Sequence, residues 1–323
     1  MCTAITLKTS QDTYLFGRTL DLEYSFNQEI IFVPRNFRFN KPPLVAEPKY
    51  AILGMATKFN GFPLFADAFN EEGLGVAGLN FPKYAVYSKK NLPNKNNVDI
   101  FNFPLWLLSN FKTIQEARTS LTNINLVDTQ LDESFPNSPL HFIITDKTGE
   151  TIVLEQTKGN SRIFDNPYGV LTNSPDFLWQ RINLSQYVNL IPKQILNLQG
   201  TAINALSNGT GLLGLPGDFT APSRFVRAAL FREFAQKNSV DINEATFFQI
   251  LANVSIPKGA LITSQGDIDY TQYTSCMDLN RGIYYYKTYN SQAVYQVNLH
   301  AQNKNETRIV SFPYNNEFIT IKL

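Results

Sequence analysis

Cys2 follows Met1 directly, in a stretch that reads Met1-Cys2-Thr3-Ala4-Ile5-Thr6-Leu7. A small second residue permits removal of the initiator methionine. That removal leaves one residue with both a thiol and a free α-amine. An unperturbed α-amine has a pKa of ~7.7–8.0 and a free cysteine ~8.5. The amine can therefore take a proton near neutral pH while the sulfur attacks an acyl carbon, with no histidine required. This is activation of a nucleophile by an adjacent base. The competing reading is that a cysteine at position 2 is incidental, and position alone does not decide between them.

Other residues bear on that chemistry. Cys2 to Thr9 reads as a strand, Ser10-Gln11-Asp12 as a turn and Thr13 to Arg18 as the return strand. Pairing about Ser10 sets Arg18 opposite Cys2, and a nearby cation favours the thiolate. Asp21, three residues on, is within reach of the α-amine or of Arg18; otherwise the two form a surface ion pair of little worth. Asn80 and Asn173 each stand at the end of a predicted strand. Asparagine suits such ends as plain turn chemistry, and it also supplies amide donors for a developing oxyanion.

Several other signals lead away from chemistry. Gly209 to Gly214 matches GxGxxG, but no apolar strand precedes it and Pro216-Gly217 interrupts any following helix. The glycine-rich loop Asn208 to Asp218 is therefore expected to form a wall or lid of a pocket, with Arg224 just beyond. His141, in an alternating strand, and His300 read as structural histidines. Two histidines and two cysteines without paired spacing give no metal site, and no cofactor is expected. Cys276 reads as a buried free thiol.

The elements that must position these residues alternate in blocks. Glu29 to Val33 and Ala51 to Ala56 are strands, and Pro63 to Phe69 with Leu74 to Leu79 form a hairpin about Asn70-Glu71-Glu72-Gly73. Residues 84–98 read as an exposed loop. Helices follow from about Ile100 to Phe111 and from Thr113, with a capping box to Glu116, to about Asn123. Residues 128–139 are loop. Leu140 to Thr145 and Glu150 to Gln156 make a second hairpin, with strands Arg162 to Phe164 and Gly169 to Thr172 behind it. Helices are expected from Asp176 to about Leu190, Pro222 to Lys237 and, capped by Asp241 and Glu244, to about Val254. Five strands close the chain: Tyr273 to Asp278, Gly282 to Tyr289, Val294 to Leu299, Arg308 to Phe312 and Phe318 to Ile321. Hairpins dominate and helices come in pairs. This implies an α+β fold, two mostly antiparallel sheets stacked between helical layers, in a single domain spanning 1–323.

Composition narrows the partners. The chain has 323 residues, 43% hydrophobic and only 17% charged, with a net charge of +1. That excludes a basic stripe for nucleic acid. No run approaches the ~18 apolar residues of a membrane span, and residues 1–30 carry no secretory signal. Two cysteines make no disulfide framework, so a cytoplasmic protein is expected. Of the 25 phenylalanines and 15 tyrosines, many are expected in the core and some to line a pocket for an apolar ligand.

The ordered set Met1-Cys2-Thr3, Gly17-Arg18-Thr19-Leu20-Asp21, Asn70-Glu71-Glu72-Gly73-Leu74-Gly75, Ala77-Gly78-Leu79-Asn80-Phe81-Pro82, Leu171-Thr172-Asn173-Ser174-Pro175, Gly214-Leu215-Pro216-Gly217-Asp218 and Ser223-Arg224-Phe225 resembles the choloylglycine hydrolase family. Its members are conjugated bile acid hydrolases and penicillin V acylases, among the N-terminal nucleophile hydrolases. The resemblance runs nearly end to end. It implies a four-layer αββα sandwich assembled as a homotetramer, and hydrolysis of the amide of glycine- or taurine-conjugated bile acids. It implies Cys2 as nucleophile, its α-amine as base, Arg18, Asp21, Asn173 and Arg224 at catalytic positions, and Asn80 at the oxyanion position. Asparagine at 80 resembles the bile-acid branch, since penicillin acylases of the family often carry tyrosine there. By the same resemblance Leu20, Phe59, Phe65 and Ala68 line the pocket for a steroid face. The alternatives are a penicillin V acylase or other acyl-amide hydrolase and, more distantly, a non-catalytic lipid-binding relative.

Overall fold

A computed structural model describes residues 1–39, 47–128, 138–158, 160–197 and 201–321. The chain opens with β1 (Cys2–Lys8), β2 (Tyr14–Leu22), β3 (Glu29–Val33), β4 (Ile52–Phe59), β5 (Phe62–Asn70), β6 (Leu74–Asn80) and β7 (Asn96–Asp99). Helices α1 (Phe103–Asn110) and α2 (Ile114–Thr122) follow. Then come β8 (Ile124–Val127), β9 (Leu140–Asp146), β10 (Thr151–Gln156), β11 (Ser161–Asp165) and β12 (Val170–Leu171). The second helical block is α3 (Phe177–Leu184), α4 (Ala221–Asn238) and α5 (Glu244–Ala252). The chain closes with β13 (Tyr270–Asp278), β14 (Ile283–Thr288), β15 (Tyr295–Asn298) and β16 (Val310–Phe312).

Among the described residues a six-stranded sheet runs β12-β1-β2-β13-β14-β15 and an eight-stranded sheet β11-β10-β9-β6-β5-β4-β3-β16. The central strands are covered on both faces, so they read as apolar runs rather than as an apolar-polar alternation. Side-chain parity then divides each strand between two cores. In β9 Ile143 points inward to meet Phe16, Phe69 and Tyr273 between the sheets. Its neighbours Phe142 and Ile144 point outward, onto Phe103 and Leu108 of α1 and Leu121 of α2. Helices α4 and α5 cover the other sheet through Phe225, Phe247 and Leu251. The order is helices, sheet, sheet, helices, the αββα sandwich expected from the alternation of blocks. No helix among the described residues is long and apolar enough to cross a membrane.

Several local expectations shift. The first hairpin pairs Cys2 with Leu20 and Arg18 with Ala4. Its turn centres on Gln11, because Thr9 N–H donates to Thr13 O at 2.8 Å and Asp12 takes φ 59°. A two-residue shift preserves parity, so Arg18 remains on the Cys2 face. The stretch read as loop over 84–98 ends in β7, which pairs in parallel with β8. Thr113 caps α2 by accepting from Glu116 N–H, but Glu116 returns to Lys112 N–H rather than to Thr113. Helix α5 starts later than expected, capped by Asn243, whose Oδ1 accepts from Ala245 and Thr246 N–H. Asp176 caps α3, which ends at Leu184 and continues only as a tighter turn to Tyr187. Phe318 to Ile321 is not a strand; Phe318 and Ile321 are exposed and pair with no strand among the described residues. Most of the predicted 128–139 loop lies outside the described residues.

Candidate active site

Strand β1 delivers Cys2 to the end of the six-stranded sheet, 4% exposed. Its backbone N–H donates to Asn173 Oδ1 at 3.0 Å. Asn173 comes from the segment that leaves β12, and it does not cap a helix. Arg224, in the first turn of α4, is fully buried. It donates to Cys2 O at 2.5 Å, Thr3 Oγ1 at 2.7 Å and Asn173 Oδ1 at 2.6 Å. Two donors on Oδ1 settle the orientation of the Asn173 amide. Its Nδ2 therefore faces the other way and donates to Asn80 O at 2.7 Å. One carboxamide thus joins the nucleophile strand, α4 and the end of β6.

Asn80 stands where β6 loses a neighbour. The β5–β6 register runs from Phe69↔Gly75 to Asp67↔Ala77 and no further. On the other side β6 stays paired with β9 as far as Asn80↔Leu140. The opened edge of β6 is where Arg18 inserts. Its Nη1 donates to Gly78 O and to Ala66 O, and its Nε to Thr19 O at 3.2 Å. Burial pulls the Arg18 guanidinium down, but the acidic groups packed around it, Asp67 and Asp21 among them, outweigh it and hold the group above its ordinary value. Arg224, equally buried, lies below its ordinary value through desolvation.

Asp21 is fully buried behind the nucleophile. Its Oδ1 accepts from Thr271 Oγ1 at 2.6 Å and its Oδ2 from Thr19 Oγ1 at 3.3 Å. Desolvation raises its carboxyl above the usual range, against the pull of the terminal ammonium, Arg224 and Thr271. Met1 occupies the mouth of the site. Its amine donates to Asp21 O and, at 3.1 Å, to Asp269 Oδ2, and its carbonyl accepts from Asp21 N–H at 2.8 Å.

A cavity of about 440 Å³ opens in front of Cys2. Leu20, Leu22, Phe26, Phe65, Ile100 and Phe101 give it an apolar wall, with Arg18, Asn80 and Asp269 as polar points. Leu20 and Phe65 thus stand where the pocket was expected. Ala68 and Phe59 do not: Ala68 is buried in the layer under α1, and Phe59 lies at the far end of the β4–β5 hairpin, opposite Phe62. The loop Asn208 to Asp218 forms no part of this wall either. It is tied to the start of α4, where Asp218 accepts from Ser223 Oγ and Thr220 N–H and has its carboxyl pulled down to about 2.

Sequence reasoning missed Asp67, Asp269 and Thr271. Asp67 lies on β5, fully buried, and accepts from Tyr273 Oη at 2.5 Å and Tyr284 Oη at 2.6 Å. An aspartate inside the run Phe-Ala-Asp-Ala-Phe was the available signal, since a charge on a doubly covered strand must have partners. Desolvation raises its carboxyl, against Arg18 and the two tyrosines. A raised native carboxyl binds its proton after the unfolded one has released it. Its contribution to stability is present below the unfolded value and lost as pH rises through the native one. Asp67→Asn lacks this slope. The urea midpoint of wild type relative to Asp67→Asn is therefore expected to fall as pH rises above the ordinary carboxyl value of about 4. A difference that stays level or grows with pH would refute the assignment.

A model of the family described as linear amide C–N hydrolases, choloylglycine hydrolase family, matches residues 2–312. A bile salt hydrolase/transferase of Clostridium perfringens is 48% identical over 322 residues, covering 98% of this chain and 97% of its own. A bile salt hydrolase/transferase of Lactiplantibacillus plantarum is 38% identical over 331 residues, covering 98% of each. Among solved structures, the C2A mutant conjugated bile acid hydrolase of Clostridium perfringens superposes with a TM-score of 0.96 at 45% identity, over 100% of both chains. With a family match over nearly its whole length and close relatives of equal extent, the chain belongs to the choloylglycine hydrolase family of linear amide C–N hydrolases.

Proposed function

We propose that this protein is a bile salt hydrolase that cleaves the amide bond of glycine- or taurine-conjugated bile acids through Cys2. The observation that carries the reading is the Asn173 carboxamide, which ties the Cys2 backbone N–H, buried Arg224 and the open end of β6 at one wall of an apolar cavity. Leu20, Leu22, Phe26, Phe65, Ile100 and Phe101 offer a broad apolar surface of the kind a rigid steroid covers.

In this reading the Cys2 thiolate attacks the amide carbon. The carbonyl π pair moves to oxygen, which is held by the Asn80 backbone N–H and the second Nδ2 proton of Asn173. The Cys2 α-ammonium gives a proton to the leaving nitrogen as the C–N bond breaks and the thioester forms. Water then attacks the thioester carbon, loses a proton to the same amine, and releases the bile acid and the thiol. Arg18 favours the thiolate, and Asp21 orients the amine. The amine must be free for this, so Met1 has to be removed.

Asp21→Asn keeps the size and one acceptor of the side chain but removes its charge. We expect it to lower kcat by roughly ten- to hundredfold with KM nearly unchanged, because its role is orientation. A change confined to KM would contradict that role. The function itself is tested by free glycine released from glycocholate by protein whose intact mass shows Met1 absent. Release supports the reading. No release, with penicillin V hydrolysed instead, transfers the same chemistry to an acylase. Slow alkylation of Cys2 by iodoacetamide, like an ordinary thiol, points to a non-catalytic lipid-binding relative.

The whole chain 1–323 acts as one domain, and the pairing of β16 with β3 and of β13 with β2 supports this by joining C-terminal strands to N-terminal ones. We further propose a cytoplasmic homotetramer. Val188, Leu196, Ile203, Leu206 and Leu213, between α3 and α4, are exposed apolar side chains that a second copy would cover. Sedimentation as a monomer, or activity found outside the cell, would overturn the respective half of this proposal.

A further inference from the structure

His141 and Glu155 lie on neighbouring strands β9 and β10, 1% and 2% exposed, behind the wall that carries Asn80 and Asn173. Neither touches the cavity. His141 Nδ1 is 3.0 Å from Glu155 Oε1, and its Nε2 is 3.0 Å from Thr172 O. A carbonyl only accepts, and so does a carboxylate. Both ring nitrogens thus face oxygen partners, which hold the imidazole at its two edges. Glu155 Oε1 also accepts from Phe177 N–H at 3.0 Å, at the start of α3.

Each partner of this pair leads to one of the two asparagines. Thr172, whose carbonyl accepts from His141, directly precedes Asn173, and its hydroxyl donates to Ala221 O at 3.0 Å. Phe81 directly follows Asn80, and its ring stacks flat on His141, with centroids 4.1 Å apart and planes 9° apart. The start of α3, held by Glu155, closes the segment 173–176 from the other end. One imidazole is thus bound edge-on to the Asn173 segment and face-on to the Asn80 segment.

We propose that His141, held by Glu155, is a positioning residue that fixes the Asn80 and Asn173 donors relative to each other for the developing oxyanion. The inference rests on the hydrolase reading above. It predicts a separation between two reactions of the same sulfur. Amide hydrolysis places negative charge on the carbonyl oxygen and needs both donors. Alkylation by iodoacetamide forms the S–C bond at a saturated carbon as iodide leaves, so no oxyanion forms.

The test uses processed full-length protein with His141→Gln, which can still donate to Thr172 O but cannot bridge to Glu155 in the same geometry or stack as a ring. Expected is a roughly ten- to hundredfold fall in kcat for glycocholate, KM within about twofold, and an unchanged rate of Cys2 alkylation. Unchanged kcat overturns the proposal. A parallel fall in alkylation also overturns it, since that reports general damage to the nucleophile. Should His141→Gln fail to fold, Phe81→Leu decides, because it removes the stack without uncovering a buried charge. A smaller fall in kcat at constant alkylation supports the role, and equal kcat overturns it. Wild type is run alongside: absence of glycine release from wild type removes the hydrolase reading and the proposal with it, whereas release from wild type with an unaffected variant removes the proposal alone.

Discussion

Cys2→Ala is expected to abolish glycine release from glycocholate, with a loss on the order of 10⁶ in kcat, the scale seen when the nucleophile of a catalytic unit is removed. The substitution deletes a sulfur from a fully framed position. The backbone N–H to Asn173, the carbonyl to Arg224 and the pairing with Leu20 are main-chain contacts that alanine retains. The cavity wall and the two arginines therefore stay in place, and glycocholate should still bind, measurable by calorimetry. Cys276 cannot substitute. It is fully buried on β13 and burial pushes its thiol well up, so it holds little thiolate at neutral pH. Fast alkylation by iodoacetamide should vanish in the same variant. Glycine release that survives would end the assignment of Cys2.

Asn173→Ala is expected to have the next largest effect. In the proposed mechanism it removes one oxyanion donor, a loss of about 10²–10³ in kcat at comparable sites. It also removes the acceptor shared by Arg224 Nη2 and Cys2 N–H and the donor to Asn80 O. Arg224 is fully buried, so the stranded N–H carries a desolvation cost of about 1–3 kcal/mol. Lower kcat at nearly constant KM, with a lower unfolding midpoint, is the expected pair of results. A raised KM with kcat intact would mean that Asn173 only binds substrate.

The parts of this site that sequence alone made legible are those that are local. Cys2, Arg18 and Asp21 lie within one hairpin, and parity kept Arg18 on the Cys2 face even though its strand partner is two residues from the expected one. Asn173 and Arg224 are 51 positions apart and meet only through the stacking of α4 on β1; no spacing within either segment announces it, and resemblance alone placed them. Asp67 was hidden for another reason. On a strand covered on both faces, the alternation that marks a polar side is absent, so the residue reads as an irregularity rather than as a hub for Tyr273 and Tyr284. The β7–β8 pair was missed because short parallel strands separated by two helices leave no hairpin signature. Phe318 to Ile321 misled in the opposite direction, showing strand-like residues that remain exposed and unpaired among the described residues.

The nucleophile sits at the very beginning of a strand, a place where polypeptides ordinarily fray. Here β1 lies inside its sheet, with β2 along its whole length, β12 beside Ala4 and Ile5, and the Asn173 side chain replacing a neighbouring strand at Cys2 itself. Opening that end requires parting β2 and withdrawing Arg224 from Cys2 O and Thr3. The amides of the first strand thus belong with the most slowly exchanging class of the molecule, and catalytic competence is lost in the same cooperative step as the fold, not by loosening of a terminus.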